Sequence, residues 1–157
     1  MKSIHILAFA SIIFISGSIG CYSSDRKTKV TSGKSAPAKQ AAEVHWLHSM
    51  DQGKTLAKQS GKPMMVDFYA EWCGWCKKLD SEVYTKPAVV QLSEKFVNVK
   101  VDVDKNGKDA KTFGVRGLPT IVFLKPDGTV LQQISGYRDS AEFVRVMTEV
   151  LSNAGSR

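Results

Sequence analysis

A chain of 157 residues, at roughly 100 to 200 residues per domain, holds one domain with extensions and excludes two full ones. Its 43% hydrophobic and 24% charged residues, with 12 Gly and 5 Pro, exclude a fibrous or disordered composition and permit a packed core. The net charge of +7 would suit nucleic acid, yet residues 43–157 carry only +2 of it, against +1 in residues 1–21 and +4 in residues 22–42.

The chain opens with Met1-Lys2, an apolar run from Ile4 to Ile15 broken only by His5 and Ser11, and the small residues Ser16, Gly17, Ser18 and Gly20. This is the pattern of an export signal over residues 1–20. An uncleaved membrane helix, the competing reading, needs about 20 apolar residues, and this run is shorter and ends in Ser and Gly. Cys21, after Ser18-Ile19-Gly20, resembles the lipobox Cys of bacterial lipoproteins, which is lipidated and becomes the mature N-terminus. Ser18 stands where that pattern usually has Leu, and simple cleavage leaving a free Cys21 is the alternative. Residues 21–42 hold Arg26, Lys27, Lys29, Lys34 and Lys39 among Ser, Thr, Gly, Ala and Pro, with no apolar periodicity, and read as a flexible basic linker. No aromatic residue follows Tyr22 among those charges, so bases would have nothing to stack on and no nucleic-acid partner is expected.

From Glu43 on, strand and helix patterns alternate. Val44 to Leu47 has the length of a short strand, and Met50 to Ser60 reads as a helix stopped by Gly61 with Pro63 beyond it. Met64 to Ala70 is the mostly apolar run expected of a strand covered on both faces. The stretch from Cys73 to Leu79 suits a helix whose first turn holds Cys73 and Cys76. Pro87 fits the first turn of a helix through Phe96, because its missing N–H would be unpaired there anyway. Val97 to Val103 alternates as a strand should, and a short helical piece is expected near Asp109 to Phe113. Thr120 to Leu124 and Thr129 to Ile134 flank Pro126-Asp127-Gly128, a hairpin signal. Asp139, with Glu142 three residues on, opens a last helix with Phe143, Val146, Met147, Val150 and Leu151 on one face. No internal repeat is visible, and the element order implies an α/β fold with a mixed sheet and helices on both faces.

Chemistry concentrates at Cys73 and Cys76, whose i, i+3 spacing puts them on one helix face, close enough for a disulfide. A CxxC is also half of a zinc site, but tetrahedral zinc needs four ligands, and three Cys and three His supply no second pair. His45 and His48 are also three apart, yet they lie in a segment that reads partly as strand and are expected as exposed or core histidines. A purely structural disulfide would close so small a loop that little chain entropy is removed.

The run Val66-Asp67-Phe68-Tyr69-Ala70-Glu71-Trp72-Cys73-Gly74-Trp75-Cys76-Lys77 resembles the active-site segment of the thioredoxin superfamily. Lys100-Val101-Asp102-Val103-Asp104 and Phe113-Gly114-Val115-Arg116-Gly117-Leu118-Pro119-Thr120 resemble two further segments of that family, in the same order. The likeness covers residues 43–157 and implies a thioredoxin-like fold there. Lys62 to Asp67 and Tyr84 to Val89 are especially similar to the periplasmic C-terminal domain of the membrane thiol:disulfide interchange reductases. Trp75 replaces the family's usual Pro between the cysteines, and Tyr69 the Trp common before the Ala, so the redox potential does not come with the likeness.

A thiolate, not a thiol, attacks a disulfide, and the unpaired N–H groups and dipole at a helix N-terminus favour the anion, which makes Cys73 the attacker and Cys76 the resolving thiol. By the resemblance, Asp67 accepts the Cys76 proton, its pKa raised by desolvation in an apolar strand, with Lys100 as its charge neighbour; a strand-end Asp67 in water and a solvated Lys100 are the plain alternatives. The resemblance also implies a cis peptide before Pro119, leaving the Leu118 backbone free to pair with a substrate strand, against an ordinary trans turn. Trp72, Gly74 and Trp75 would border Cys73 and contact substrate, with a core position for Trp72 as the competing reading.

These readings imply an exported thiol-disulfide oxidoreductase of the periplasm or cell envelope, lipid-anchored if Cys21 is acylated. It would reduce protein disulfides with no cofactor or metal beyond the Cys73–Cys76 couple, fed by an upstream thiol donor for which a membrane protein is one candidate. A disulfide oxidase or isomerase, or a redox-inactive module holding a soft metal such as Cu(I) on the Cys pair, are the alternatives.

Overall fold

A computed structural model describes residues 43–155; the export signal, Cys21 and the linker expected from the sequence lie outside them. Nine elements follow in order: α1 (Met50–Ser60), β1 (Met64–Tyr69), α2 (Gly74–Glu82), α3 (Pro87–Ser93), β2 (Val97–Asp102), α4 (Gly107–Thr112), β3 (Thr120–Leu124), β4 (Val130–Ser135) and α5 (Ser140–Gly155). The strands form one sheet in the order β2-β1-β3-β4, with β1 parallel to β2 and antiparallel to β3, and β3 antiparallel to β4. The chain therefore has the mixed sheet that its element order implies.

Side-chain parity decides which residues meet, because successive residues of a strand point to opposite faces. Met64, Val66 and Phe68 of β1 share a cluster with Val97, Val99 and Val101 of β2 and with Met50 and Ala57 of α1. Met65, Ile121 and Phe123 face the other way, onto Leu79, Val83 and Tyr84 around the end of α2, Val89 of α3, and Phe143 and Met147 of α5. Asp67 has the parity of Met65, and its register partner Lys100 lies opposite it on β2, so both charges belong to the α2 face. Helices cover both faces, as a central, mostly apolar strand requires.

The helix ends follow local chemistry. Ser49 caps α1 by accepting from the Gln52 N–H, and Gly61, at φ 69°, closes it in a left-handed conformation that a side chain would oppose. Asp139 caps α5 through the Glu142 N–H, while the Glu142 carboxylate pairs with Arg138 at 3.0 Å rather than returning to the cap. Pro87 sits in the first turn of α3 as expected, but the helix stops at Ser93 rather than Phe96. The Ser93 carbonyl accepts from the Phe96 N–H and from the Asn98 side chain, so the helix ends three residues early and the chain turns toward β2, which begins at Val97 as expected. The expected strand at Val44 to Leu47 is reduced to one parallel bridge between Leu47 and Val99, made by two hydrogen bonds of 2.9 and 2.8 Å to Asn98 and Lys100. No helix among the described residues is long and apolar enough to cross a membrane.

Candidate active site

The β1 strand ends at Tyr69, the chain turns through Ala70 to Trp72, and α2 begins with Cys73 as its N-cap. The Cys73 sulfur accepts a hydrogen bond from the Cys76 N–H (3.1 Å), one of the amide donors that a helix leaves unpaired at its first turn. Cys73 and Cys76 form a disulfide with Cα atoms 5.3 Å apart. Both residues are nearly covered, at 5% and 3% exposure, packed among Ala70, Tyr69, Val103 and Leu118. The same donors and dipole that meet the sulfur here would stabilise a Cys73 thiolate once the bond is reduced.

Leu118 reaches this cluster from the loop before β3, where the Leu118–Pro119 peptide is cis. No backbone hydrogen bond among the described residues involves Leu118, whereas the Pro119 carbonyl accepts from the Gly136 N–H. On the outer side, Trp72 is 71% and Trp75 57% exposed, so Trp72 is a rim residue and not part of the core. Each is fixed from behind. The Trp72 indole N–H donates to Asp104 (2.9 Å), and Trp75 stacks at a tilt on Tyr137 (centroids 5.6 Å apart) with the Lys78 ammonium over both rings. Tyr137 in turn donates to Glu82 (3.0 Å). Gly74 opens the helix between the two tryptophans, and a Cβ there would meet nothing.

On the α2 face of the sheet, Asp67 is 1% exposed. Its Oδ2 lies 3.9 Å from Lys100 Nζ, which also pairs with Asp80 of α2 in a short contact. Lys100 is itself covered, at 11% side-chain exposure, with its ammonium 4.8 Å from the Tyr69 ring centre, 5.5 Å from Trp46 and 5.8 Å from Tyr84. Asp67 Oδ1 and the Tyr84 hydroxyl make no hydrogen bond of normal geometry among the described residues. Burial dominates the titration of Asp67 and raises its pKa from 3.8 to about 7; Lys100 opposes the rise, Asp80 adds to it, and the nearby Tyr84 hydroxyl opposes it weakly. Burial also pushes the Tyr84 phenol well above its ordinary value. The arrangement can hold a proton near neutral pH in an otherwise apolar layer.

The structure thus brings together Cys73, Cys76, Trp72, Gly74, Trp75 and Leu118 around one disulfide, with Pro119 next to Leu118, and pairs Asp67 with Lys100 on the α2 face of the sheet. His45 and His48 are exposed, and no group of three metal-ligating side chains exists among the described residues. Sequence reasoning missed Asp80, Tyr84, Trp46, Tyr137 and Asp104. Asp80 was within reach of it, because it follows Cys76 by four residues and so shares its helix face. The others come from distant segments and left no local signal.

A match to the thioredoxin family covers residues 44–149. Over 116 residues the chain is 34% identical to the thiol:disulfide interchange protein DsbD of Vibrio vulnificus (strain CMCP6), covering 67% of this chain and 20% of that protein. Over 146 residues it is 27% identical to the DsbD of Campylobacter jejuni (strain RM1221), covering 90% of this chain and 25% of that one. The chain therefore spans about a fifth to a quarter of the length of these curated relatives. Among solved structures, a thioredoxin from Thermus thermophilus aligns with a TM-score of 0.66 and 30% identity over 72% of this chain and 91% of that one. The C-terminal domain of Neisseria meningitidis DsbD, in its reduced form, shares the fold at a TM-score of 0.57 and 23% identity, over 63% of this chain and 90% of that domain. On these matches the chain belongs to the thioredoxin family.

Proposed function

We propose that the protein is an exported reductase of protein disulfides, with residues 1–20 as its export signal, residues 21–42 as a basic tether, residues 43–157 as the catalytic domain and Cys21 as the site of a lipid anchor in the cell envelope. The observation that carries the catalytic part is a CxxC disulfide at a helix N-terminus, which follows a strand whose buried carboxylate, Asp67, has its pKa raised to about 7. The targeting part is supported by the sequence pattern alone.

In the reduced protein the Cys73 thiolate attacks one sulfur of a substrate disulfide. One S–S bond forms between Cys73 and substrate, the substrate S–S bond breaks, and the first substrate thiolate leaves and takes a proton from solvent. Cys76 then loses its proton to ionised Asp67, and its thiolate attacks the Cys73 sulfur. The mixed disulfide breaks, the Cys73–Cys76 bond forms, and the second substrate thiolate leaves. Two electrons have passed to the substrate, and an upstream dithiol donor, such as a membrane protein of the DsbD kind, restores the pair. The Leu118 backbone, free of internal pairing, holds the substrate as an added strand while Trp72, Gly74 and Trp75 border it. Reduction is taken as the direction from the resemblance of Lys62 to Asp67 and Tyr84 to Val89 to the membrane thiol:disulfide interchange reductases, while Asp67 speeds proton transfer at Cys76 in either direction.

Two assays on the purified full chain test the direction. Reduction of a protein disulfide with a thiol donor should be fast and oxidation of a reduced, unfolded protein slow; the reverse order would refute the reductase reading.

A further inference from the structure

Alongside the disulfide runs an open cleft of about 400 Å³, walled by Trp72 and Trp75 and floored by Val103, Ala110, Val115 and Leu118. Among the described residues that line it, one carries a charge: Arg116. Arg116 is exposed, and no ion pair or hydrogen bond among the described residues engages its guanidinium. Of the acids near the rim, Asp104 accepts from the Trp72 indole and Glu82 meets Tyr137 and Lys78, while the exposed Glu71 beside Trp72 does not line the cleft. The cleft is thus apolar with one unanswered cation.

We propose that this cleft selects, as disulfide partners, extended segments carrying an acidic side chain within two residues of the reacting cysteine and an apolar side chain beside it, with Arg116 as the specificity-determining residue. The inference rests on the exchange reading above and adds the class of substrate to it. A segment pairing with Leu118 is held in strand geometry, in which side chains two apart point the same way roughly 7 Å apart. Arg116 precedes Leu118 by two residues, so its long side chain reaches those flanking positions. A carboxylate there accepts two parallel hydrogen bonds from the guanidinium fork, a geometry that a lysine cannot offer. The two indole faces remove water from the pair, which strengthens it over an ordinary surface contact.

The test uses the purified full chain with a dithiol reductant and three synthetic disulfide peptides, identical except for Glu, Gln or Lys two residues from the cysteine. Each rate is divided by the rate of the same peptide with the reductant alone, which removes differences in intrinsic thiol reactivity. For a partly exposed pair, kcat/KM should fall in the order Glu, Gln, Lys, with about three- to tenfold between the extremes. Arg116→Gln should flatten the series, Arg116→Glu should invert it, and Arg116→Lys should keep the order with a smaller spread. Equal rates for the three peptides, or an unchanged order in Arg116→Glu, would overturn the proposal while leaving disulfide exchange intact. No reduction of any peptide would instead refute the exchange reading and this inference with it.

Discussion

Cys73 and Cys76 are chemically alike but differently placed, and the difference assigns their tasks. The Cys73 sulfur takes the Cys76 amide hydrogen bond at the cap, whereas Cys76 lies a turn deeper, within the helix. Cys76→Ser should therefore accumulate a mixed disulfide on Cys73, visible as an adduct by mass spectrometry under non-reducing conditions, and Cys73→Ser should lose turnover altogether. Normal turnover of Cys73→Ser would remove the assignment. Asp67 makes two predictions of its own. As acceptor of the Cys76 proton it works when ionised, so resolution of the mixed disulfide should speed up as pH rises through about 7, and Asp67→Asn should flatten that rise while slowing attack less. The same carboxyl costs stability. Because folding raises its pKa, the native state holds a proton that the unfolded chain has lost between pH 3.8 and about 7, so stability falls across that window and stays low above it. At about 1.4 kcal/mol per tenfold change, the rise corresponds to roughly 4 kcal/mol above the window. Asp67→Asn should recover much of this at pH 8 and little below pH 4, as read by urea unfolding; equal gains at both would contradict a buried charge.

At the scale of elements, two contacts position the site. Helix α1 lies so close on the sheet that a methyl at Gly53 would come within 2.5 Å of Val99 Cγ2 and 3.0 Å of Met64 Cε. Gly53→Ala should therefore destabilise the fold by about 1–3 kcal/mol despite its better helix propensity, measurable by chemical denaturation. The second contact is the brace of Tyr137 behind Trp75, which joins the segment after β4 to α2. Aromatic pairs are worth about 0.5–1.5 kcal/mol, so Tyr137→Ala should raise KM for a protein disulfide by about two- to tenfold. The kcat and the Cys73 thiolate titration should stay unmoved, and Tyr137→Phe should restore most of the KM. What was legible in the sequence follows this division. Met64–Tyr69, the Asp127-Gly128 hairpin, the Cys73 cap and the burial of Asp67 are written in local periodicity and turn chemistry. The shortened α3 was not, because its end is set by an Asn98 side chain arriving from β2, and the weak pairing of Val44 to Leu47 depends on a register that only Leu47 meets. The rings around Lys100 belong to Trp46, Tyr69 and Tyr84, three separate segments that no window of sequence joins.

For the whole molecule, the basic excess falls in residues 22–42 while residues 43–157 are nearly neutral, and the proposed envelope location is tested at Cys21. If Cys21 is acylated, the mature protein should partition to the membrane fraction with a lipid mass on its N-terminal residue, and Cys21→Ala should abolish both; a soluble, unmodified product starting near Cys21 would leave simple cleavage. Anchoring would raise the effective concentration toward membrane-bound partners without any new contact. The coverage of the disulfide has a further consequence. Exchange needs an in-line approach of one sulfur on another, and here both cysteines are nearly covered while Cys73 lines the open cleft between Trp72 and Trp75. A thiol therefore meets the couple from the cleft side, and a chain that also docks along Leu118 would hold its sulfur in place there. The choice among several thiol pools would then depend on fit to that cleft as well as on their potential and abundance.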